Sequence, residues 1–431
     1  MIYIILGLLI LAVCGEPLFI IIGGIALIAF KYIISIDPAT MFSDFFRITT
    51  APAMVAIPLF IFAGYLLAES KAPKRLINFT NALLGWMPGG LPLVSLISCA
   101  VFTAFTGASG ITIVAIGAVL YPALTQEGYP KKFSLGLVSI GGGLGTLFLP
   151  CLPLVLYGVI SQTSVEDLFI AGLLPGTLRI ILNLFYTTYT GRKLVARGKF
   201  SLTEVKKSLR EIVWELPLPF LIVGGIFAGF FSAAEAAAIA AVYVLIVEIF
   251  INRDIKFKDV GGIIRESMKM TGAIIVILGM ALALTDFFID QEVPMKIFET
   301  IKKHIGNKFT FLLLLNGFLL IVGCLMDIFS ACVVIVPIIV PIAKLYGIDP
   351  VHLGIIFLAN LELGFITPPV GISLFISSLK FKESYPVVVR SILPFFVICI
   401  IGLLLITYVP DISLFLLKFV SRKGLIPEIT I

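Results

Sequence analysis

The chain has 431 residues, of which 60% are hydrophobic and only 13% are charged, and its mean hydropathy is +1.15. These values lie outside the range of soluble globular proteins and predict a polytopic membrane protein. The net charge of +6 comes from short clusters between apolar runs, so it informs membrane topology and does not indicate a nucleic-acid-binding surface.

Apolar runs long enough to cross a membrane recur along the whole chain. The first, residues 2–30, has no basic segment before it, so we interpret it as a membrane helix and not as a cleaved signal. Further spans are predicted at residues 168–189, 216–231, 233–251, 271–289 and 386–408. No soluble domain is left over, and a single integral membrane domain is predicted for residues 1–431.

The segment between residues 91 and 165 contains two interruptions of the helical pattern. The run LVSLISCAVFTAFTGASGITIVAIGAVLYPAL is too long for one helix and carries small residues at 107–110. We interpret it as a re-entrant hairpin of two half-length helices, and the alternative is two full spans. The next run, GGGLGTLFLPCLPLVLYG, predicts a span broken between Gly145 and Pro150.

A basic loop follows the span at 168–189, and the positive-inside rule assigns this loop to the cytoplasm. Its sequence FSLTEVKKSLREIVWEL has apolar residues at helical spacing, which predicts an amphipathic helix on the membrane surface. A solvated connecting helix is the alternative. The basic residues are Arg192, Lys193, Arg197, Lys199, Lys206, Lys207 and Arg210.

The same pair of interruptions recurs in the second half of the chain. The run FLLLLNGFLLIVGCLMDIFSACVVIVPIIVPIA has its predicted tip at residues 323–327, and LELGFITPPVGISLF is broken by Pro368 and Pro369. A shift of 219 positions superimposes Gly and Pro residues of the two halves, where chance would give about 0.3 matches. The superimposed residues are Pro122 and Pro341, Gly128 and Gly347, Gly145 and Gly364, and Pro150 and Pro369.

This duplication predicts a binding site. Irregular backbone at membrane depth leaves polar groups unpaired and is tolerated only where it faces protein or a wet cavity. Paired hairpin tips and unwound spans therefore indicate a coupled ion and substrate site, although kinks relieved by neighbouring helices are the plain alternative. Four acidic residues within or beside the spans favour a cation as the coupling ion: Glu235, Asp286, Asp327 and Glu362.

The residues for several other functions are missing. The nearest approach to a phosphate-binding loop, residues 191–199, is followed by Phe200 where a hydroxyl is required, and the G-x-S-x-G and H-E-x-x-H hydrolase motifs do not occur. Two isolated histidines and six scattered cysteines predict no transition-metal site. We therefore expect neither an ATPase nor an enzyme of these classes.

Nine motifs in sequence order resemble the large membrane subunit of tripartite ATP-independent periplasmic (TRAP) transporters, the DctM-like subunit. The resemblance covers nearly the whole chain. The motifs are PLFIFAGYLL, GWMPGGLPLV, FTGASG, EGYPKKFSLGLV, LGTLFLP, YGVISQTSVEDLFIAGLLPG, FSAAEAAAIAAVY, YGIDPVHLGII and LGFITPPVG. The chain departs from the usual family pattern at Ala108, at Cys151 and at residues 232–235.

The resemblance implies an all-α elevator-type transporter with two inverted repeats, each holding a re-entrant hairpin and a broken transmembrane helix. It implies sodium as the coupling ion, with no organic cofactor, and an organic acid, such as a C4-dicarboxylate, as substrate. Two partners are also implied: a small four-helix membrane subunit and an extracytoplasmic substrate-binding protein. The expected location is the cytoplasmic membrane of a prokaryote, in contact with lipid and not with nucleic acid.

Two sodium sites are predicted, because sodium is a hard cation and unwound backbone with a nearby hydroxyl or carboxylate offers oxygen ligands. The first site comprises Gly107, Ser109, Gly145 and Thr146. The second comprises Gly323, Asp327, Gly364, Thr367 and Gly371. Substrate is assigned to the remaining positions of the tips and breaks: Thr106, Ala108, Gly110, Pro150, Pro368 and Pro369.

The predicted organisation has five parts. Residues 1–90 form the first scaffold helices, 91–165 the first hairpin and broken helix, 166–308 scaffold and arm helices, 309–380 the second hairpin and broken helix, and 381–431 the C-terminal scaffold helices. Two alternatives remain open: a stand-alone sodium-coupled dicarboxylate symporter of a related fold, and a channel or scaffold component without coupled transport.

Overall fold

The computed structural model describes residues 18–34, 43, 52–87, 89–107, 109–148, 150–191 and 200–422, and the regular elements over these residues are all helical. Most of the predicted run at 2–30, the basic residues at 192–199 and Ala108 lie outside the described residues. The helices are α1 (Leu18–Ala29), α2 (Pro52–Glu69), α3 (Ala72–Leu84), α4 (Gly90–Thr106), α5 (Ser109–Ala115), α6 (Gly117–Gln126), α7 (Lys131–Gly141), α8 (Leu152–Ser161), α9 (Val165–Gly191), α10 (Leu202–Ile212), α11 (Pro217–Phe227), α12 (Ala233–Ile246), α13 (Phe257–Asp290), α14 (Val293–His304), α15 (Lys308–Leu325), α16 (Ile328–Leu345), α17 (Pro350–Gly364), α18 (Ile372–Phe381), α19 (Tyr385–Tyr408) and α20 (Asp411–Arg422).

Five helices in the described part of the chain are long and apolar enough to cross a membrane. Two further helix pairs, α2 with α3 and α5 with α6, are bent by 71° and 48°, and counting each as one span gives seven. The five helices are α9, α12 with its π-helical continuation to Ile251, α15, α16 and α19. These helices agree with the prediction of a multi-pass membrane protein.

The first hairpin turns at Gly107. Its φ of +65° lies in the left-handed region that favours glycine, and its amide donates to the Thr103 carbonyl at 2.8 Å, which closes α4. The helix resumes at Ser109 as α5. The end of α4 at Gly107 therefore coincides with the predicted tip, and the re-entrant arrangement of this run stays a prediction.

The helix breaks predicted at both glycine- and proline-rich segments are present. The helix α7 ends at Gly141, and α8 begins at Leu152 after an extended Cys151. The helix α17 ends at Gly364, and α18 begins at Ile372. Both segments therefore interrupt the regular hydrogen bonding of the helices, and amides of the first break donate instead within tight turns, such as Gly143 to the Ile140 carbonyl at 3.0 Å.

The second interrupted run forms two helices of 18 residues each, α15 and α16, with their junction at Met326 and Asp327. Asp327 caps α16, and its carboxylate accepts from the Ser330 amide at 2.9 Å. Because each helix is long enough to cross a membrane, its length does not exclude two full spans. The re-entrant arrangement of this run stays a prediction.

We divide the helices into two groups that also contact each other, since α3 packs against α4 and α14 against α16. We call α4–α9 with α15–α20 the hairpin group, because α9 packs against α4, α8, α17, α19 and α20, and α19 also packs against α7 and α17. We call α1–α3 with α10–α14 the outer group, because α2 packs against α12 and α13, and α10 against α3. The sequence assigns α9 and α19 to the scaffold; both contact the broken helices, and the division into scaffold and transport parts stays a prediction.

A buried charge cluster joins helices of the outer group. The Arg75 guanidinium on α3 contacts three carboxylates. Glu215 lies just before α11. Glu248 lies in the π-helical turn Val247–Ile251 that continues α12, and Asp254 follows this turn. Burial raises the pKa of Asp254, but the hydrogen bond and charge of Arg75 outweigh burial and hold this pKa below its usual value. Arg75 therefore fixes three chain segments to α3.

Candidate functional site

The first tip lies against both sides of the first break. A Cβ built on Gly107 would lie 3.1 Å from the Leu152 side chain at the start of α8. On the other side, the Thr103 hydroxyl of α4 lies 2.9 Å from the carbonyl oxygen of Gly142. A Cβ on Gly145 would come within 2.1 Å of the Ala100 carbonyl oxygen, so only glycine allows the break to approach α4 this closely. The structure therefore brings Gly107 and the Gly145 segment to the same part of the hairpin group.

Ser109 connects the first tip to the helix that follows the second break. Its hydroxyl oxygen lies 3.4 Å from that of Ser373 on α18, and both side chains are buried. One residue on, a Cβ built on Gly110 would lie 2.7 Å from the Ile376 side chain. Ser373 is not predictable from the sequence, because nothing local distinguishes it from other serines in apolar helices.

The second tip and the second break are in direct backbone contact. A Cβ built on Gly364 would lie 2.5 Å from backbone atoms of Gly323, so both positions require glycine. The Gly371 amide, at a φ of +55°, donates to the Cys324 carbonyl at 3.2 Å, and the Cys324 thiol donates to the Thr367 carbonyl at 3.1 Å. Four of the five residues predicted for this sodium site are thus brought together.

The Thr367 hydroxyl and the Asp327 carboxylate of the second predicted sodium site each have a local hydrogen-bond partner. The Thr367 hydroxyl donates to the Leu363 carbonyl at 2.7 Å, which leaves its oxygen lone pairs available to accept. Asp327, the fifth residue of the second site, directs both oxygens to Ser330. Its position at an N-cap was readable from the sequence, since a serine follows at the third position of the helix.

The residues predicted to hold substrate occupy different environments. The Thr106 hydroxyl donates to the Phe102 carbonyl of its own helix at 3.0 Å, and Pro150 is buried. Pro368 and Pro369 are exposed, and Ala108 lies outside the described residues. Gly110 lines a cavity.

This cavity is lined by residues of both helix groups and has a volume of about 530 Å³. It is lined from the outer group by Tyr65, Glu69 and Met270, and from the hairpin group by Gly110, Ile111 and Ile376. Its size falls within the roughly 300–1,000 Å³ of small-molecule sites. The first tip therefore faces a space large enough for a small organic ligand.

A buried ion pair lies behind the breaks. Arg179 on α9 contacts the Glu362 carboxylate on α17, and their side chains are 1% and 3% exposed. The Thr146 hydroxyl of the first break donates to the same Glu362 oxygen, Oε2, at 2.6 Å. The sequence predicts roles for Glu362 and Thr146 but not for Arg179, although a single cation within the apolar run 168–189 signals a buried partner.

A tyrosine from α19 holds the outer side of the second break. The Tyr385 hydroxyl lies 2.8 Å from the Pro369 carbonyl oxygen and 3.1 Å from that of Val370. These carbonyls lie between α17 and α18 and have no helical hydrogen-bond partner, so the tyrosine hydroxyl partly replaces the hydrogen bonds of a continuous helix. Among the described residues, no group of three His, Cys, Asp or Glu side chains is placed to hold a metal ion.

Comparison with known families decides the class of the protein. Residues 2–412 match the family described as the tripartite ATP-independent periplasmic transporter, DctM component. The chain belongs to this family. It is a TRAP transporter large permease, the class for which several of its relatives are named.

Two relatives illustrate the range of the TRAP family. The chain is 36% identical over 363 residues to the C4-dicarboxylate TRAP transporter large permease protein DctM of Pseudomonas aeruginosa, covering 84% of this chain and 85% of that protein. It is 34% identical over 374 residues to the isethionate TRAP transporter permease protein DctMQ of Oleidesulfovibrio alaskensis, covering 86% of this chain and 59% of that protein.

One solved structure shares the fold of this TRAP permease. The YdaH transporter of Alcanivorax borkumensis aligns with a TM-score of 0.60 at 14% identity, covering 89% of this chain and 88% of that chain. At this identity the likeness concerns the fold alone.

Proposed function

We propose that this TRAP permease carries out sodium-coupled uptake of an organic acid by an elevator mechanism. The observation that supports it most is the convergence of both tips and both breaks within one helix group. Ser109 lies beside Ser373, Thr146 binds Glu362, and Gly323 packs on Gly364. Isolated proline kinks would have no reason to converge in this way.

The coupling ion in this proposal is sodium, bound at two places. Thr367 with the carbonyls around Gly364 and Gly371 forms one site beside Gly323, and Ser109 with Gly107, Gly145 and Thr146 forms the other. Unwound backbone supplies the oxygen ligands that a hard cation needs at membrane depth. Asp327, which caps α16, completes the second site only if it leaves Ser330.

The substrate in this proposal is an organic acid held at the cavity beside the first tip. The residues lining this cavity include Glu69 but no Arg or Lys, so a carboxylate would be held by hydroxyls, helix N-termini and bound sodium. The N-terminus of α18 with Ser373 and the neighbouring Ser109 offers such groups. The two relatives are named for a dicarboxylate and for isethionate, so the acid group is the shared chemistry.

The elevator in this proposal moves the hairpin group against the outer group. The two groups correspond to a moving body built on two inverted repeats and a fixed scaffold, and α9 and α19 move with the broken helices that they contact. The cavity at the boundary of the groups is where substrate enters or leaves.

The proposed complex contains a small four-helix membrane subunit and an extracytoplasmic binding protein, which are the partners of TRAP large permeases, and it lies in the cytoplasmic membrane of a prokaryote. The test is reconstitution of the permease with the small subunit, with and without the binding protein, under a sodium gradient. Uptake of an organic acid that the binding protein binds should require the permease, the small subunit and the binding protein together. Sodium-driven uptake by the permease alone would instead establish a stand-alone symporter, and passive uncoupled flux would establish a channel.

A further inference from the structure

We propose that Arg179, Glu362 and Thr146 form a positioning bridge that couples the two helix breaks, so that sodium binding at one break favours sodium binding at the other. The proposal rests on the proposed sodium-coupled function and links Thr146 of the first ion site to Arg179 and Glu362, which belong to neither ion site. We call these three side chains the bridge.

The bridge joins three chain segments that are distant in sequence. Glu362 lies in the last turn of α17, two residues before Gly364, where the second break begins. Its Oε2 accepts the Thr146 hydroxyl of the first break at 2.6 Å and contacts Arg179 on α9. A single carboxylate oxygen therefore binds the first break and the helix α9 at the entrance to the second break.

The Glu362 carboxylate packs so closely against the first break that a movement of the break also moves this side chain. A Cβ built on Gly143, in the turn that forms the first break, would lie 2.4 Å from Glu362 Oε1. The Thr146 hydroxyl also lies 3.0 Å from the Gly143 carbonyl oxygen. Because close-packed interiors have no slack, a shift of this turn must move the Glu362 side chain.

The chemistry of the bridge is poorly suited to stability alone. Buried ion pairs contribute little net stability compared with apolar side chains of similar size, because both charges must be desolvated. Here the pair is also incompletely bonded, since Arg179 Nε and Nη2 and Glu362 Oε1 have no hydrogen-bond partner among the described residues. Such an arrangement is better explained by a requirement for position than by a requirement for stability.

Coupling follows from this geometry. Sodium at the first break fixes the turn that carries Thr146 and, through Glu362, fixes the last turn of α17. The last turn of α17 is then already ordered when a second sodium binds at the second break, so this second binding step loses less conformational entropy. Two sites that share an ordered element in this way bind cooperatively.

The test measures equilibrium binding of ²²Na⁺ to the purified permease with its small membrane subunit. Cooperative filling predicts a Hill coefficient well above 1 and approaching the site number, about 2. The double variant Arg179→Met with Glu362→Leu removes the bridge, leaves no unpaired buried charge and changes no predicted sodium ligand. Its Hill coefficient should fall to about 1, with a several-fold higher half-saturating sodium concentration.

Two further variants separate the bridge from general damage. Arg179→Gln with Glu362→Gln keeps an acceptor for Thr146 and should restore part of the cooperativity. Thr187→Val removes a buried hydroxyl that bonds only within α9 and should leave the Hill coefficient unchanged. If this apolar double variant does not assemble, Arg179→Met with Glu362→Met replaces it, because it also removes both charges without touching a predicted sodium ligand, and the same fall in Hill coefficient is expected.

The outcomes are distinct. A wild-type Hill coefficient of 1, or an unchanged coefficient in the variant that removes the bridge, overturns the coupling proposal and leaves sodium-coupled transport standing. Absence of ²²Na⁺ binding by the wild-type complex overturns the sodium coupling in the proposed function itself.

Discussion

Ser109 and Ser373 meet hydroxyl to hydroxyl at 3.4 Å, although 264 positions separate them in sequence. Ser109 begins the helix after the first tip, and Ser373 lies in the first turn of the helix after the second break. The two halves of the chain therefore share one buried polar position. This shared position makes Ser373 a new candidate for ion or substrate binding.

Substitution Ser373→Ala should weaken sodium-dependent uptake. Loss of one hydroxyl oxygen is worth about 0.5–1.5 kcal/mol, which corresponds to a 2- to 10-fold rise in the half-saturating concentration of sodium or substrate. Kinetics of uptake by the reconstituted transporter measure it. Ser377→Ala is the matched control, because it removes a buried hydroxyl one turn further along α18 that bonds Ser139 at 2.8 Å. Equal effects of the two variants would show that Ser373 has only a packing role.

Substitution Thr367→Val should raise the half-saturating sodium concentration several-fold. The change keeps the side-chain shape but removes one oxygen, and a hard cation has few other ligands at this break. Membrane insertion should be unchanged. Thr177→Val is the control, because the Thr177 hydroxyl also donates at 2.7 Å to the carbonyl four residues earlier. Unchanged sodium dependence in assembled Thr367→Val protein would remove Thr367 from the ion site.

Replacing both Pro368 and Pro369 by alanine should reduce uptake more strongly than Thr367→Val. Alanine restores two backbone donors and favours helix, so a regular helix through this point would reclaim the carbonyls needed for the ion. Uptake rates at saturating sodium, normalised to protein in the membrane, measure the effect. If the double variant transports at the wild-type rate, the break is only a kink.

Substitution Tyr385→Phe should loosen the second break without removing an ion ligand. The Pro369 carbonyl loses its 2.8 Å hydrogen bond but remains accessible to water, so the expected loss is about 1 kcal/mol or less in apparent sodium affinity. Hydrogen exchange of the segment 365–371 should increase. A variant with wild-type exchange in this segment would mean that the tyrosine does not hold the break.

Much of the fold is predictable because its determinants are local. Glycine and proline end helices by their own backbone constraints, and Gly107, Gly141 and Gly364 lie at or beside the ends of their helices. For this reason the sequence predicts the helix end at Gly107 and both breaks, while the re-entrant geometry stays a prediction. Helix lengths are less local, since α15 and α16 extend to 18 residues each beyond the predicted half-length.

The candidate site is only partly predictable because its contacts are distant in sequence. Arg179 and Glu362 are 183 positions apart, and no pattern in either segment names the other as partner. Cys324 binds the second break through its backbone carbonyl and its thiol, and the presence of a cysteine in the sequence does not predict these contacts. Asp327 was predicted as an ion ligand from its charge, while its neighbour Ser330 engages both carboxylate oxygens as an N-cap.

The measurement that tests sodium coupling most directly is substrate accumulation by the complete reconstituted transporter, with the binding protein present, ATP absent and the membrane potential clamped. An inward sodium gradient should drive accumulation of the organic acid above its external concentration, and an equal potassium gradient should not. Accumulation that is unaffected by removal of sodium, or that requires ATP when the ion gradients are held fixed, would contradict sodium-coupled transport by this protein.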